Sequence, residues 1–327
     1  MNKDKIKKVL QFVCFLAIGL FIFYLVYKDQ DIDKMKEELR KGDVFWILFP
    51  VFLGALSHFV RALRWKQLIE PLGKSPRLVN VYFAVMTGYF ANYLLPRAGE
   101  MARCGVIKKY EDISFTELLG TVIAERAFDL IVLLGFIGAA IFLQLDLFAQ
   151  VFASGTSFDQ KFGWIIFNPV VWIIMGVTVI FLFILRKRIM EMSIAKKCKE
   201  IFFNITSGIK TFFKVKNKPL FIFYTAVIWF CYFNMTYLCF NAFDFTKDLT
   251  ITCGLSTFSI GSLGIVAPVQ GGIGAWHFLT IETLKFYDVA ALQAASFAFV
   301  VHLMQTLMIL LIGFISFVSL PFVNKKK

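Results

Sequence analysis

Apolar stretches of roughly membrane-span length follow one another along almost the whole chain, and they limit what it can fold into more than any other feature. Runs at about 9–27, 44–60, 78–95, 118–145, 163–185, 219–241, 251–268 and 290–320, with a half-apolar piece at 271–287, leave little sequence for anything else. About 20 apolar residues of helix cross the hydrocarbon core of a bilayer. A mean hydropathy of +0.71 and 40 phenylalanines exceed what a soluble domain of 327 residues can bury. The sequence predicts an all-α polytopic membrane protein.

The first run follows Lys3, Lys5, Lys7 and Lys8 and lacks a small-residue cleavage site before Lys28, so it reads as an uncleaved span. Cys14, Cys104, Cys198, Cys231, Cys239 and Cys253 form no CxxC pair and lie mostly in apolar runs, which suggests packing rather than disulfides or zinc. The net charge of +13 is concentrated in the connectors, where a membrane surface is a simpler partner than nucleic acid.

Those connectors also predict orientation, because Lys and Arg favour the cytoplasmic side. Arg61 to Arg77 holds five Lys/Arg against one acid, Arg186 to Lys218 holds ten against two, and both termini are basic. These are expected inside the cell. Lys28 to Asp43, Asp146 to Gly163 and Ala242 to Thr250 are balanced or slightly acidic and are expected outside.

The assignment creates a parity conflict. The runs at 78–95 and 118–145 both have to start inside, and the runs at 251–268 and 290–320 both have to start outside. The chain must therefore double back twice, once after Pro96 in "LLPRAGE" and once after Pro268 in "VAPVQGGIG". Each turn leads through an amphipathic piece and a charged break, "KKYED" or "LKFYD", to a long span carrying "LLGFI" or "LIGFI". The reading is one integral membrane domain over 1–327, with about eight transmembrane helices and two oppositely oriented re-entrant hairpins in an inverted repeat. The repeats cover about 78–145 and 251–320, and 186–218 is a basic cytoplasmic loop. Transporters built this way place their substrate sites where the broken helices meet.

The charged residues in these runs are the candidate site. Arg97, Glu100 and Arg103 follow the first turn at helical spacing, where an arginine pair beside a helix N-terminus suits phosphate. Snorkelling to lipid headgroups is the competing reading. Glu125, Arg126 and Asp129 lie about seven residues into the next span, where each charge costs about 2.5 to 3.5 kcal/mol on insertion scales. They read equally as substrate ligands or as a clamp between helices, and Glu125 is placed to pair with Arg97 or Arg103. In the second turn Gln270, Gly271, Gly272 and Gly274 offer backbone donors or, alternatively, close helix packing. His302 and Gln305 read as a hydrogen-bonded core pair, and His58 as a residue near the end of its span. No nucleotide, metal or nucleophile motif is present, so neither a cofactor nor enzymatic activity is expected.

"NYLLPRAGEMAR", "TVIAERAFDL" and "PVQGGIGAWH" together resemble the flippase-like lysylphosphatidylglycerol synthase transmembrane family. The resemblance covers nearly the whole chain, although the second turn reads Pro268-Val269-Gln270-Gly271-Gly272 where the family has Pro-Gly-Gly. It implies a membrane domain that moves an aminoacylated phospholipid between leaflets after a separate synthase domain has made it. No such domain is expected here. The expected function is translocation of an anionic phospholipid, aminoacyl-phospholipid or lipid-linked precursor in the cell membrane, with both termini cytoplasmic. The alternative is a non-transporting scaffold that docks a lipid- or glycan-modifying enzyme through the 186–218 loop. An intramembrane lipid-phosphate phosphatase is the third reading. Oligomeric state is open, a homo-oligomer included.

Overall fold

The computed structural model describes residues 3–95, 98–144, 213–266 and 269–325. The run at 163–185 and most of the basic loop at 186–218 lie outside these residues, as do Pro96, Arg97 and Pro268.

All regular structure among the described residues is helical, in ten α-helices and three short 3-10 helices. They are α1 (Lys3–Tyr27), α2 (Ile32–Arg40), α3 (Val44–Ile69), α4 (Leu78–Leu94), α5 (Gly99–Glu111), α6 (Phe115–Phe142), α7 (Lys218–Tyr237), α8 (Ile251–Val266), α9 (Ala275–Phe286) and α10 (Ala291–Val323). Among them α3, α7 and α10 are each long and apolar enough to cross a bilayer. With 28 residues α6 is of similar length, and its apolar surface is broken by charge.

Two connectors differ from the sequence reading. Lys28 to Asp43 contains the amphipathic helix α2, capped by Asp31, whose carboxylate accepts from the N–H groups of Asp33 and Lys34. Arg61 to Arg77 is not wholly a connector, because α3 continues to Ile69 and buries Arg61 and Arg64. The apolar run stops at residue 60, but the helix does not, since these arginines find carboxylates on α6. The same extension puts His58 well inside α3, buried against the Tyr89 ring at 4.4 Å between centroids.

Two helical hairpins stand where the sequence was expected to double back. At one end of the bundle Glu111, closing α5, accepts from the Arg77 backbone N–H at 3.0 Å and from Asn80 near the start of α4. Both ends of the α4–α5 hairpin therefore lie together. At the opposite end Tyr287, just past α9, hydrogen-bonds Ser256 near the start of α8 at 3.1 Å, and Gln144, beyond α6, bonds the same Ser256. The α8–α9 hairpin thus opens the other way. At 1.5 Å per residue the four hairpin helices are roughly 18 to 26 Å long, shorter than the ~30 Å hydrocarbon core.

Close backbone approach joins the two arms of each hairpin. A Cβ on Gly99 would lie 2.6 Å from Asn92 Nδ2, and one on Gly88 would lie 2.9 Å from the Gly99 carbonyl oxygen. Asn92 also accepts from the Gly99 N–H at 2.7 Å, satisfying a backbone donor that the turn would otherwise leave open. In the second hairpin Gly264 meets the Trp276 backbone at 2.7 Å in the same sense.

Each hairpin then packs on the long helix that follows the other one. Along α4, Asn80 exchanges hydrogen bonds with Asn324, which closes α10, the Phe90 and Phe314 rings meet at a tilt with centroids 6.2 Å apart, and Tyr93 bonds Thr306 on α10. In the reciprocal contact Gln144 reaches Thr252 and Ser256 while Phe136 packs on Phe258, joining α6 to α8. Trp65, Val85, Cys104 and Leu118 centre one apolar core, and Phe240, Trp276, Leu284 and Phe297 another. Leu133, Trp229 and Phe258 belong to a cluster between α6, α7 and α8. The cysteines at 104, 231, 239 and 253 are buried and unbridged.

Gly99→Val is expected to cost about 1–3 kcal/mol through overpacking of the α4–α5 contact. Gly105→Ala, on the same helix but facing open space, should be neutral or slightly stabilising. Thermal unfolding of the two variants in detergent distinguishes a tight backbone crossing from a general intolerance of α5.

Candidate functional site

On α3, Arg61, Arg64 and Trp65 follow one another at i, i+3 and i+4. On α6, Thr121, Glu125 and Asp129 follow at i, i+4 and i+8. Helical geometry turns each set into a single stripe, and the two stripes face each other. Trp65 donates from Nε1 to Thr121 Oγ1 at 2.9 Å at one end of the contact. Glu125 Oε1 accepts from Arg61 at 2.9 Å and from Arg64 at 3.1 Å, while Arg64 also reaches Asp129 Oδ1 at 2.7 Å. Arg61 pairs with Asp129 Oδ2 at 2.9 Å.

The first hairpin enters this cluster through α5. Arg103 donates to Glu125 Oε2 at 2.6 Å, and its guanidinium lies 3.8 Å from the centroid of the Trp65 ring. Helix α7 closes another side, with Tyr232 accepting from Arg61 Nε at 3.2 Å and Thr225 from Arg64 at 3.1 Å. Arg64 and Glu125 are both 0% exposed. Charges buried this deeply persist only when paired and hydrogen-bonded.

One edge of the cluster is open. Arg126 pairs with Glu100 at 3.2 Å, and their side chains are 42% and 29% exposed. Glu100 and Arg103 therefore do not act on a common partner. Glu100 holds Arg126 at the accessible edge, while Arg103 holds Glu125 inside. Arg97 lies outside the described residues.

Four guanidiniums thus face three carboxylates: Arg61, Arg64, Arg103 and Arg126 against Glu100, Glu125 and Asp129. The Nε–H groups of Arg64, Arg103 and Arg126 have no acceptor among the described residues. Sequence reasoning missed Arg61 and Arg64 because a connector of high positive charge was taken to begin at Arg61. The signal was available, since His58, Arg61, Arg64, Trp65 and Leu68 keep the helical period of the preceding span.

The second hairpin's tip is held by neutral hydrogen bonds. Gly271, Gly272 and Gly274 have φ of 57°, 76° and 80°, a region that side chains other than glycine rarely adopt. The Gly271 carbonyl accepts from His302 Nε2 at 2.9 Å. His302 therefore carries its proton on Nε2, and its Nδ1 accepts from Thr306 Oγ1 at 3.3 Å. With that proton committed, Thr306 accepts from Tyr93 at 3.1 Å. His302 bonds Gly271 and Thr306 rather than Gln305. His277 Nδ1 accepts from the Gly274 N–H at 3.3 Å, and its ring lies 4.4 Å from that of His302. Gln270 is buried beside these residues.

The two tips meet at Gly271. A Cβ there would come within 2.6 Å of Cζ of Tyr93, in the last turn of α4. The sequence-derived candidates accordingly fall into an ionic group on the first hairpin and a backbone-and-histidine group on the second. No group of three or more His, Cys, Asp or Glu among the described residues is arranged to hold a metal.

Residues 12–313 match the family model described as the lysylphosphatidylglycerol synthase TM region. The chain belongs to this family. It is similar to a UPF0104 membrane protein of Methanocaldococcus jannaschii, 22% identical over an alignment covering 100% of this chain and 99% of the relative. A UPF0104 membrane protein of Methanothermobacter thermautotrophicus is 23% identical over 86% of this chain and 87% of its own length. Part of the chain, 43%, is 27% identical to 23% of the glycosyltransferase AglD of Haloferax volcanii. No solved structure gives a significant match.

Glu125→Ala leaves Arg103 without its carboxylate and Arg61 and Arg64 with Asp129 alone, and is expected to cost about 3–5 kcal/mol. The double variant Glu125→Gln/Arg103→Gln should recover part of that loss. Melting temperature and monodispersity in detergent provide the check; equal destabilisation by the single and double variants would mean that packing dominates over charge.

Proposed function

We propose that the chain translocates a lipid with an anionic headgroup between the leaflets of the cell membrane. The headgroup passes by way of the hairpin tips while the hydrocarbon tails remain in the bilayer. The observation that carries this reading is the excess of guanidinium over carboxylate in a buried cluster that opens at Arg126 and Glu100. Planar guanidinium groups with spare N–H donors suit phosphate oxygens. Membership of a family named for a lipid synthase's membrane region supports the same direction.

In this reading α4–α5 and α8–α9 are re-entrant, ending inside the bilayer. Residues 78–145 and 251–320 form inverted repeats that rock about the tips to alternate access. The matched contacts Asn80 to Asn324 and Thr252 to Gln144 support that equivalence. The Lys-rich termini and the basic loop then lie in the cytoplasm. The protein acts as a carrier without enzymatic chemistry of its own.

The partial match to a glycosyltransferase favours a second reading, in which the chain is a membrane partner of an enzyme that modifies lipid-carried glycan, docked through the 186–218 loop. Charge reversal in that loop would then abolish recovery of the enzyme without altering leaflet exchange.

Exchange of fluorescent phosphatidylglycerol and polyprenyl-phosphate analogues in proteoliposomes tests the transport reading. Arg126 is accessible enough for Arg126→Gln to keep the fold, and one charge-assisted hydrogen bond is worth about 1.5–3 kcal/mol. Exchange should therefore fall about tenfold or more. Normal exchange by folded Arg126→Gln places the path elsewhere, and wild-type exchange no faster than empty vesicles removes the transport reading.

A further inference from the structure

A groove of about 400 Å³ runs between α1 and α9 to the start of α10. From Gly19, which lies against Val269 and Ile273 of the second tip, α1 runs beside α9 to the same end of the bundle. A Cβ on Gly274 would lie 2.9 Å from Ile22 Cβ at the tip end, while Tyr27 bonds Ala295 near the far end. Ile22, Leu25, Phe278 and Ile281 line its length, and Gln30, Glu282 and Lys285 line its outer end. Leu25 and Phe278 are 46% and 50% exposed, so the apolar part is open along the side of the bundle. The groove is therefore amphipathic along its length, apolar where it runs deep and polar where it reaches the surface.

We infer that this groove seats one phospholipid, with an acyl chain along Ile22, Phe278 and Ile281 and a headgroup carrying both an amine and a phosphate at Glu282 and Lys285. The lengthwise polarity identifies a lipid as the occupant, because a wholly apolar ligand would leave the polar end unmatched. The charge pattern identifies the headgroup. Glu282 and Lys285 form an exposed i, i+3 pair at 2.8 Å, and Lys28 and Asp29 beside Gln30 also pair, at 3.9 Å. The rim is locally neutral with separated signs. A purely anionic headgroup meets Glu282 as well as Lys285, whereas an amine and a phosphate on one headgroup engage both. An exposed pair of this kind is held weakly and opens readily to exchange partners. The volume lies within the range of ligand pockets, about 300–1,000 Å³.

This site rests on the chain being a membrane protein and not on translocation. Its test reads occupancy, so a failure to exchange lipid leaves it standing. Photoactivatable phosphatidylethanolamine and phosphatidylglycerol, each with a diazirine near the end of one acyl chain, are incorporated at trace level into vesicles of equal phosphatidylethanolamine and phosphatidylglycerol containing the full chain. Adducts are then mapped by mass spectrometry. Labelling is expected to concentrate on 22–30 and 278–285, several-fold above comparably exposed Phe223 and Phe314, and to favour the phosphatidylethanolamine probe. Ala291→Phe, at an exposed position on the groove wall, should reduce groove labelling to background with unchanged melting. Glu282→Lys should reverse the preference towards phosphatidylglycerol. Labelling spread evenly over exposed apolar residues, or groove labelling insensitive to Ala291→Phe, overturns the seat. Equal labelling by the two probes, or an unchanged preference in Glu282→Lys, overturns the headgroup assignment.

Discussion

Glu125 accepts from three arginines on two helices, and this single carboxylate organises the first half of the molecule. In a medium of low dielectric constant an unpaired charge is far more costly than an unfilled cavity, so the partners of Glu125 are constrained in position. Arg61 and Arg64 fix α3 against α6, and Arg103 holds the first hairpin to both. Arg103 is also covered by the Trp65 ring, which supplies apolar surface and a cation–π contact to the same side chain. The carboxylates nevertheless do not neutralise the cluster. More guanidinium than carboxylate in this cluster leaves positive charge uncompensated among the described residues.

The two hairpins share geometry and differ in chemistry. The first presents fixed charge, while the second presents backbone groups held by neutral imidazoles with assigned tautomers. Their contact at Tyr93 and Gly271 belongs to both networks, because the Tyr93 hydroxyl begins the chain through Thr306 and His302 that ends at the Gly271 carbonyl. A displacement of either tip is therefore felt by the other through bonds of defined direction.

Much of this arrangement was legible in the sequence. The parity of basic and neutral connectors required two doublings-back, and the structure has a helical hairpin at each. Pro96 and Pro268 marked both turns because proline leaves a helix without a donor. Glu125 was expected to meet Arg97 or Arg103, because opposite charges in apolar runs have few alternatives, and among the described residues Arg103 holds it. The less legible part lay where one sequence signal has two causes. Arg61 and Arg64 resemble the start of a cytoplasmic connector when counted as charges, and only the position of α6 distinguishes them from one. His302 was placed next to the wrong neighbour, since helix periodicity offers both Gln305 and Thr306 and the choice depends on where the second tip lies. The groove between α1 and α9 left no local pattern, because its walls come from segments some 250 residues apart.

The packing of each hairpin on the other unit's long helix also orders events in time. Chains emerge N-terminus first, at about 5–20 residues per second. Asn80 and its partner Asn324 are 244 residues apart. The first hairpin is therefore synthesised well before α10, and for that interval the α4 face carrying Met86, Phe90 and Tyr93 waits for the α10 contacts of the finished bundle. The second hairpin has no such wait, since its support, α6, is already in place. Assembly of the bundle is asymmetric even where the finished contacts are matched, and completion of the first half depends on α10, a helix made long after it.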